Sequence, residues 1–235
     1  MAFHNNPRIS TDGLVLMLDA ANPQSYPGTG VNWADLSGNG NTAISQASAG
    51  VTEGKWNSAG YFDLDEGSDI YFLIAALNNY AFAYGITIDI WMKNTGGDYR
   101  TILQNDDFAT SSADSIALRF GREDYYGGAN NGTKCSFALN SESAVAFPVA
   151  LNVWKNVLCT YDGANIKAYL DGEYFDQTAY TTAIAAVPYD IKLFRHYNTG
   201  EDFVNPIAIV KIYNTALTAG EAAQNFNALK GRFGL

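Results

Sequence analysis

The stretch from 152 to 175 constrains the fold of this chain more than any other. It reads Asn-Val-Trp-Lys-Asn-Val-Leu-Cys-Thr-Tyr-Asp-Gly-Ala-Asn-Ile-Lys-Ala-Tyr-Leu-Asp-Gly-Glu-Tyr-Phe, with apolar and polar residues alternating around two Asp-Gly pairs. A period of two is typical of a half-buried strand, and Asp-Gly accepts the positive φ values that tight hairpin turns require. The stretch therefore predicts an antiparallel meander, with Trp154 and Leu170 buried.

The composition agrees with a sheet protein that has one large core. The 235 residues are 47% hydrophobic and include 15 Tyr, 13 Phe and 22 Gly, which favours sheets and turns over helices. We expect a single domain over residues 1–235. The net charge of −10 makes nucleic acid and anionic membrane surfaces poor partners.

The chain shows no sign of export or of a membrane anchor. Residues 1–10 lack the apolar core of a secretory signal peptide, and the apolar run 71–77 is too short to span a membrane. Cys135 and Cys159 do not make a disulfide framework. Pairing between them is sterically open, and buried free thiols are the state that we favour.

Two stretches resemble a known family. The 152–175 stretch resembles the W-x-x-V-x-x-x-Y-D-G…Y-x-D-G hairpin of laminin-G-like domains in the concanavalin A-like lectin/glucanase superfamily. Residues 13–41 resemble the G-L-V-L-x-L-D-A-x-N-P-x-S-Y…W-x-D-L-S-G-N-G-N opening of many phage structural proteins that carry this jelly roll. The resemblance implies an all-β, two-sheet antiparallel jelly-roll sandwich.

Local patterns add detail to that fold. Alternation predicts strands over 86–93 and 207–213, among others. A capping box from Thr218 to Glu221 predicts a short C-terminal helix, and Gly231 is placed to stop it.

The resemblance also implies a function. It points to a non-enzymatic phage virion structural protein, either a capsid decoration or a fibre or tail appendage, assembled in the host cytoplasm. Its partners would be other virion proteins and copies of itself, with a host cell-surface glycan as a further candidate. The alternative is a free-standing carbohydrate-binding, lectin-like module.

A glucanase is a distant third interpretation. Glucanases of this superfamily carry an E-x-D-x-x-E strand whose two carboxylates flank the glycosidic bond. Here the corresponding strand carries one carboxylate, Asp89, and the residues two positions away, Thr87 and Trp91, are not acidic. We therefore expect no catalytic residues, and we expect Asp89 to be solvated on a half-exposed strand face.

Two acidic loops could hold a calcium ion. The first has alternating oxygen-bearing side chains along a Gly-rich stretch, and the second is more acidic: Asp35, Ser37, Asn39 and Asn41, then Asp63, Asp65 and Asp69. Hard oxygen ligands suit Ca²⁺. Asp and Asn equally stabilise turns by accepting hydrogen bonds from their own backbone. Both interpretations stay open.

Three regions are candidates for binding a glycan or a protein. The loop 125–132, Tyr-Tyr-Gly-Gly-Ala-Asn-Asn-Gly, resembles an adaptable recognition surface and nominates four residues: Tyr125, Tyr126, Asn130 and Asn131. Trp91 is a candidate for stacking on a sugar ring. Phe233 and Leu235 lie beyond the closing helix and either pack back on the sandwich or dock on a neighbour; we favour docking.

Overall fold

The computed structural model describes residues 8–46, 55–63, 70–75, 77, 82–96, 100–105, 115–120, 133–185, 190–195 and 205–235. Within these ranges the chain forms sixteen strands: β1 (Leu14–Asp19), β2 (Asn32–Trp33), β3 (Ala43–Gln46), β4 (Trp56–Asn57), β5 (Tyr61–Phe62), β6 (Tyr71–Ile74), β7 (Ile86–Lys93), β8 (Arg100–Asn105), β9 (Ile116–Phe120), β10 (Lys134–Leu139), β11 (Ser143–Pro148), β12 (Trp154–Tyr161), β13 (Asn165–Leu170), β14 (Glu173–Ala179), β15 (Ile191–Leu193) and β16 (Ile207–Tyr213).

The strands build two antiparallel sheets. Sheet A has the order β14-β13-β12-β7-β16-β5-β4, with β1 also paired to β16. Sheet B has the order β11-β10-β9-β8-β15-β6-β3-β2. The two sheets pack face to face, which confirms the predicted sandwich.

The predicted meander forms the β12–β13–β14 side of sheet A. Strand β12 pairs with β7 from Trp154–Lys93 to Tyr161–Ile86, and with β13 on its other side. Asp171 and Gly172 make the next turn with φ values of 51° and 79°, as the Asp-Gly pair predicts. Trp154 and Leu170 are only partly buried, contrary to prediction, because each lies at a strand end and Trp154 faces away from the core.

Aromatic rings join the two sheets inside the sandwich. Phe62 of sheet A contacts Trp33 and Phe72 of sheet B, with ring centroids 4.7 Å and 5.0 Å apart. Phe72 in turn contacts Phe194 at 5.9 Å. Cys135 and Cys159 are both buried as free thiols.

One helix, α1 (Ala219–Leu229), closes the described part of the chain. Its capping box is confirmed: Glu221 N donates to Thr218 Oγ1 at 3.3 Å, and Thr218 N donates to Glu221 Oε2 at 2.8 Å. Gly231 does not stop the helical path, contrary to prediction. A 3₁₀ turn (Lys230–Phe233) continues through Gly231, and Gly234 ends that turn with a φ of 75°. No helix in the described ranges is long and apolar enough to cross a membrane.

Candidate functional site

The carboxylate of Asp89 lies buried on the outer face of sheet A, beneath α1. Lys211 Nζ is 2.7 Å from Asp89 Oδ2, and neither side chain is exposed to solvent. Asn156 Nδ2 donates to Asp89 Oδ1 at 2.7 Å, and Asn225 Nδ2 of α1 donates to Asp89 Oδ2 at 2.8 Å. The prediction of a solvated Asp89 is therefore wrong. Because α1 covers this face, the charge must be paired and hydrogen-bonded to be tolerated.

The same network ties the helix to the start of the described chain. Asn225 Nδ2 also donates to the Tyr213 hydroxyl at 2.9 Å, and Ser10 N donates to Asn225 Oδ1 at 2.7 Å. The Tyr213 hydroxyl donates to Ser10 O at 3.2 Å. Burial raises the pKa of Tyr213, and the nearby negative charge of Asp89 raises it further. The phenol therefore stays protonated and able to donate, and Asp89 serves to position α1.

Trp91 is closed off by the end of the chain. Its side chain is fully buried, and its ring stacks on Phe233 with centroids 4.1 Å apart and on Phe226 at 5.7 Å. The prediction that Trp91 stacks on a sugar ring is wrong, because Phe226 of α1 and Phe233 of the 3₁₀ turn already cover the Trp91 ring.

The C-terminal tail packs on its own sandwich. Besides the stack of Phe233 on Trp91, Arg232 Nη1 lies 2.6 Å from Asp19 Oδ1, and Arg232 Nη2 donates to Gly60 O at 2.7 Å. Phe233 is therefore part of the folded sandwich and not a free tail, contrary to the favoured prediction. Leu235 does remain exposed, at 49%.

Asp35 organises the first acidic loop through hydrogen bonds. Its Oδ1 accepts from Met17 N at 2.9 Å and from Ser37 N at 2.8 Å. Its Oδ2 accepts from Ser37 Oγ at 2.7 Å and from Asn41 N at 3.0 Å. Four donors thus converge on one carboxylate and hold the loop against β1, which is the geometry of the turn interpretation.

The other described candidate ligands of the two acidic loops do not converge on a common point as calcium ligands would. Asn39 Nδ2 donates to Leu14 O at 3.0 Å and Asn41 Nδ2 donates to Val15 O at 2.6 Å, so both amides turn their nitrogen toward β1. Asp63 is exposed, while Asp65 and Asp69 lie outside the described residues. Among the residues that the structure describes, no group of three or more His, Cys, Asp or Glu could hold a metal ion.

The predicted recognition loop lies outside the described residues, and so do its four candidates: Tyr125, Tyr126, Asn130 and Asn131. Strand β9 ends and β10 begins at the same end of the sandwich where β11 ends at Pro148. Leu151 and Val153 follow there and are exposed at 47% and 44%. This end of the molecule therefore carries exposed apolar side chains next to the strands that flank the loop.

Strand β14 carries exposed aromatic residues that the sequence interpretation missed. It lies at the edge of sheet A and pairs with β13 alone among the described strands. A bulge interrupts that pairing, and Tyr174 and Phe175 are exposed at 52% and 43%. The signal was present in the sequence, because two adjacent aromatic residues in a regular strand cannot both face the core.

A second aromatic surface lies on the outer face of sheet A, at the end where β7 finishes and β12 begins. The end of α1 lies beside it. We call this surface the aromatic patch and define it by the partly exposed residues Tyr61, Trp154 and Phe233. The Tyr61 and Trp154 rings are 5.5 Å apart, and the Trp154 and Phe233 rings are 5.0 Å apart. Lys93 lies directly across from Trp154 in the sheet.

Comparison with known families identifies the fold. A family model described as the concanavalin A-like lectin/glucanases superfamily matches residues 65–223. The chain belongs to this superfamily. The family match agrees with the two antiparallel sheets of the structure and with the resemblance of the 152–175 hairpin. No curated protein sequence matches the chain at a significant level.

Solved structures share the fold of this superfamily member at low sequence identity. The binding domain of botulinum neurotoxin DC in complex with rat synaptotagmin II has a TM-score of 0.62 at 15% identity, over 93% of this chain and 52% of that one. The same domain in complex with SialylT gives 0.62 and 16%, over 93% and 52%. The binding domain of serotype D gives 0.63 and 14%, over 92% and 51%. All three are binding domains, and this chain spans about half their length.

Proposed function

We propose that this jelly roll is a non-catalytic binding module of a phage particle, serving as a capsid decoration or as a fibre or tail appendage. The state of Asp89 supports the non-catalytic part of this proposal. It is the only buried carboxylate among the described residues, its charge is balanced by Lys211, and α1 covers it. Glycoside hydrolysis needs two carboxylates that reach the substrate, and this arrangement offers neither access nor a second group beside the first.

The exposed aromatic surfaces of the sandwich are suited to contacts with a protein partner. Aromatic side chains with exposed area are enriched at protein interfaces, and both β14 and the aromatic patch present them. The placement on a phage particle is supported by the resemblance of residues 13–41 to the opening of phage structural proteins. Other virion proteins are then the partners of these surfaces.

The particle role is tested by fractionation. Particles from lysed cells that encode the chain are treated with nuclease, sedimented through a density gradient and analysed by quantitative mass spectrometry. We expect the chain in the particle band at a fixed ratio to the major capsid protein. Recovery in the soluble fraction alone would contradict the virion role and favour a free-standing carbohydrate-binding module.

Glycan binding is the second candidate function. The likeness of the fold to a botulinum neurotoxin binding domain in complex with SialylT favours it. The Tyr-, Asn- and Gly-rich composition of 125–132 also favours it. So do the exposed Leu151 and Val153, which lie at the end of the sandwich where β9 ends and β10 begins.

A glycan array with the purified chain tests this candidate. We expect Tyr125→Ala combined with Tyr126→Ala to reduce binding by at least about tenfold, since ring stacking and hydrogen bonding are both lost. Tyr84→Ala is the matched control, because Tyr84 is 62% exposed and lies at the opposite end of the sandwich, just before β7. Equal binding by all three proteins would contradict a site in this loop.

A further inference from the structure

Basic residues lie beside the aromatic patch, although the chain as a whole carries a net charge of −10. Lys93 lies opposite Trp154 on the same face of sheet A, and Lys230 and Arg232 flank Phe233 in the 3₁₀ turn. Arg232 is balanced by Asp19. Within the described part of the chain, Lys93 and Lys230 form no ion pair with a carboxylate. The patch is therefore aromatic, with Lys93 directly beside it and Lys230 over the neighbouring Phe226 ring.

Strand β14 has the opposite charge. We call its exposed residues Glu173, Tyr174, Phe175 and Asp176 the acidic strand surface. Two lysines on the neighbouring strands do not neutralise it, because Lys155 is paired with Asp171 and Lys167 with Asp162. Tyr174 lies opposite Tyr169 on the outer face of sheet A, whereas Glu173 and Asp176 lie opposite Leu170 and Ala168 on the inner face. The exposed edge therefore presents aromatic side chains together with two carboxylates that have no ion-pair partner among the described residues.

We propose that copies of this chain associate head to tail, with the acidic strand surface of one copy docked on the aromatic patch of the next. The inference deepens the proposed binding role by naming a second copy of the chain as one partner. Both surfaces expose aromatic rings, and their charges are complementary, so the contact buries apolar area at its centre and pairs charges at its rim.

A symmetric contact of β14 with β14 is disfavoured by the same charges. Antiparallel pairing of two such edges would bring Glu173 and Asp176 of one copy close to those of the other, and like charges across strands are destabilising. The bulge in the β13–β14 pairing further distorts this edge as a template for sheet extension. The two surfaces are distinct, so the contact is heterologous, and repeated contacts of that kind generate a ring or a filament.

The test is a charge exchange between the two surfaces. One variant carries Lys93→Glu and Lys230→Glu, and the other carries Glu173→Lys and Asp176→Lys. Self-association of the wild type, of each variant and of their equimolar mixture is measured by analytical ultracentrifugation over a range of concentrations. Circular dichroism and thermal unfolding establish that each variant is folded.

We expect the wild type to form oligomers that weaken as salt is raised, and each variant to associate at least about tenfold more weakly because it sets like charges against each other. The mixture should regain wild-type association, since each variant then meets a partner of opposite charge. A monomeric wild type, unchanged association of either variant, or a mixture that stays monomeric would each overturn the proposal.

The result is separable from the other proposals. Glycan-array binding is measured on the same variants, none of which changes a residue of 125–132. Lost self-association with retained glycan binding, or the reverse, shows which of the two activities this chain has. Recovery of the wild-type chain in the particle fraction is scored independently of both.

Discussion

The rings of Trp91 and Phe233 stack face to face, with centroids 4.1 Å apart and 9° between their planes. Trp91 belongs to the central strand β7, and Phe233 belongs to the last turn of the described chain. The stack therefore fixes the tail on the outer face of sheet A, and it creates part of the aromatic patch. Its contribution to stability can be measured directly.

Phe233→Ala should lower the free energy of unfolding by about 2 kcal/mol, because the substitution removes a partly buried ring and uncovers Trp91. Urea denaturation followed by tryptophan fluorescence measures the change. Leu235→Ala is the control, since Leu235 is 49% exposed and should change stability by no more than about 0.5 kcal/mol. Equal effects of the two substitutions would show that the stack does not hold the tail.

Lys211→Ala should cost about 3–5 kcal/mol, because it leaves the carboxylate of Asp89 buried without its counter-charge. Lys167→Ala is the matched control: its ion pair with Asp162 is partly exposed and should contribute no more than about 1 kcal/mol. Asp89→Ala and Lys211→Ala together should cost much less than the sum of the two single changes, because the double variant leaves neither charge buried alone. Additive losses in this double-mutant cycle would argue against coupling between the two charges.

Asp35→Ala should lower stability by about 1–3 kcal/mol in EDTA as well as in calcium, because four hydrogen-bond donors lose their shared acceptor. Thermal unfolding in both buffers measures the effect. Asp12→Ala serves as the control, since Asp12 is exposed and belongs to neither acidic loop. A melting temperature that rises with calcium in the wild type, and not in Asp35→Ala, would instead establish the calcium site.

Cys135 and Cys159 should make the fold less stable at alkaline pH. Burial raises the pKa of both thiols well above the ordinary value. The unfolded chain therefore releases these two protons above about pH 8.5, whereas the native chain keeps them. The native state then binds more protons than the unfolded state, so the free energy of unfolding falls as pH rises, by about 2.7 kcal/mol per pH unit for two groups.

Denaturant unfolding between pH 7 and 10 measures this slope. The double variant Cys135→Ala and Cys159→Ala should lose the decline that begins near pH 8.5 and keep the later decline from tyrosine ionisation. Both thiols should also resist a thiol reagent until the chain unfolds. Rapid modification of the native protein would contradict their burial.

Local patterns in the sequence predicted the strands well. The alternation of Ile86, Ile88 and Ile90 marks β7 with its correct bounds, and the Thr218–Glu221 capping box marks the start of α1. These features depend on residues that are neighbours in the chain. Pattern and capping chemistry are therefore sufficient to predict them.

The burial of side chains on the outer face of sheet A could not be predicted in the same way. Alternation places Asp89 and Trp91 together on that face, but their exposure depends on α1, which comes much later in the chain. A period of two assigns a residue to a face and does not say what covers that face. For this reason the sequence pattern predicts a solvated Asp89 and a Trp91 that stacks on a sugar ring, whereas both side chains are buried in the structure.

The pairing of β7 also has a consequence for the order in which the chain folds. Its two neighbours in sheet A, β12 and β16, both follow it, and β16 is completed only at Tyr213. During synthesis from the N-terminus, β1 and β7 therefore both lack their shared partner β16 until that last strand leaves the ribosome. Pairings between such distant segments fold slowly, so this sandwich should reach its native state only after nearly all of the described chain has left the ribosome.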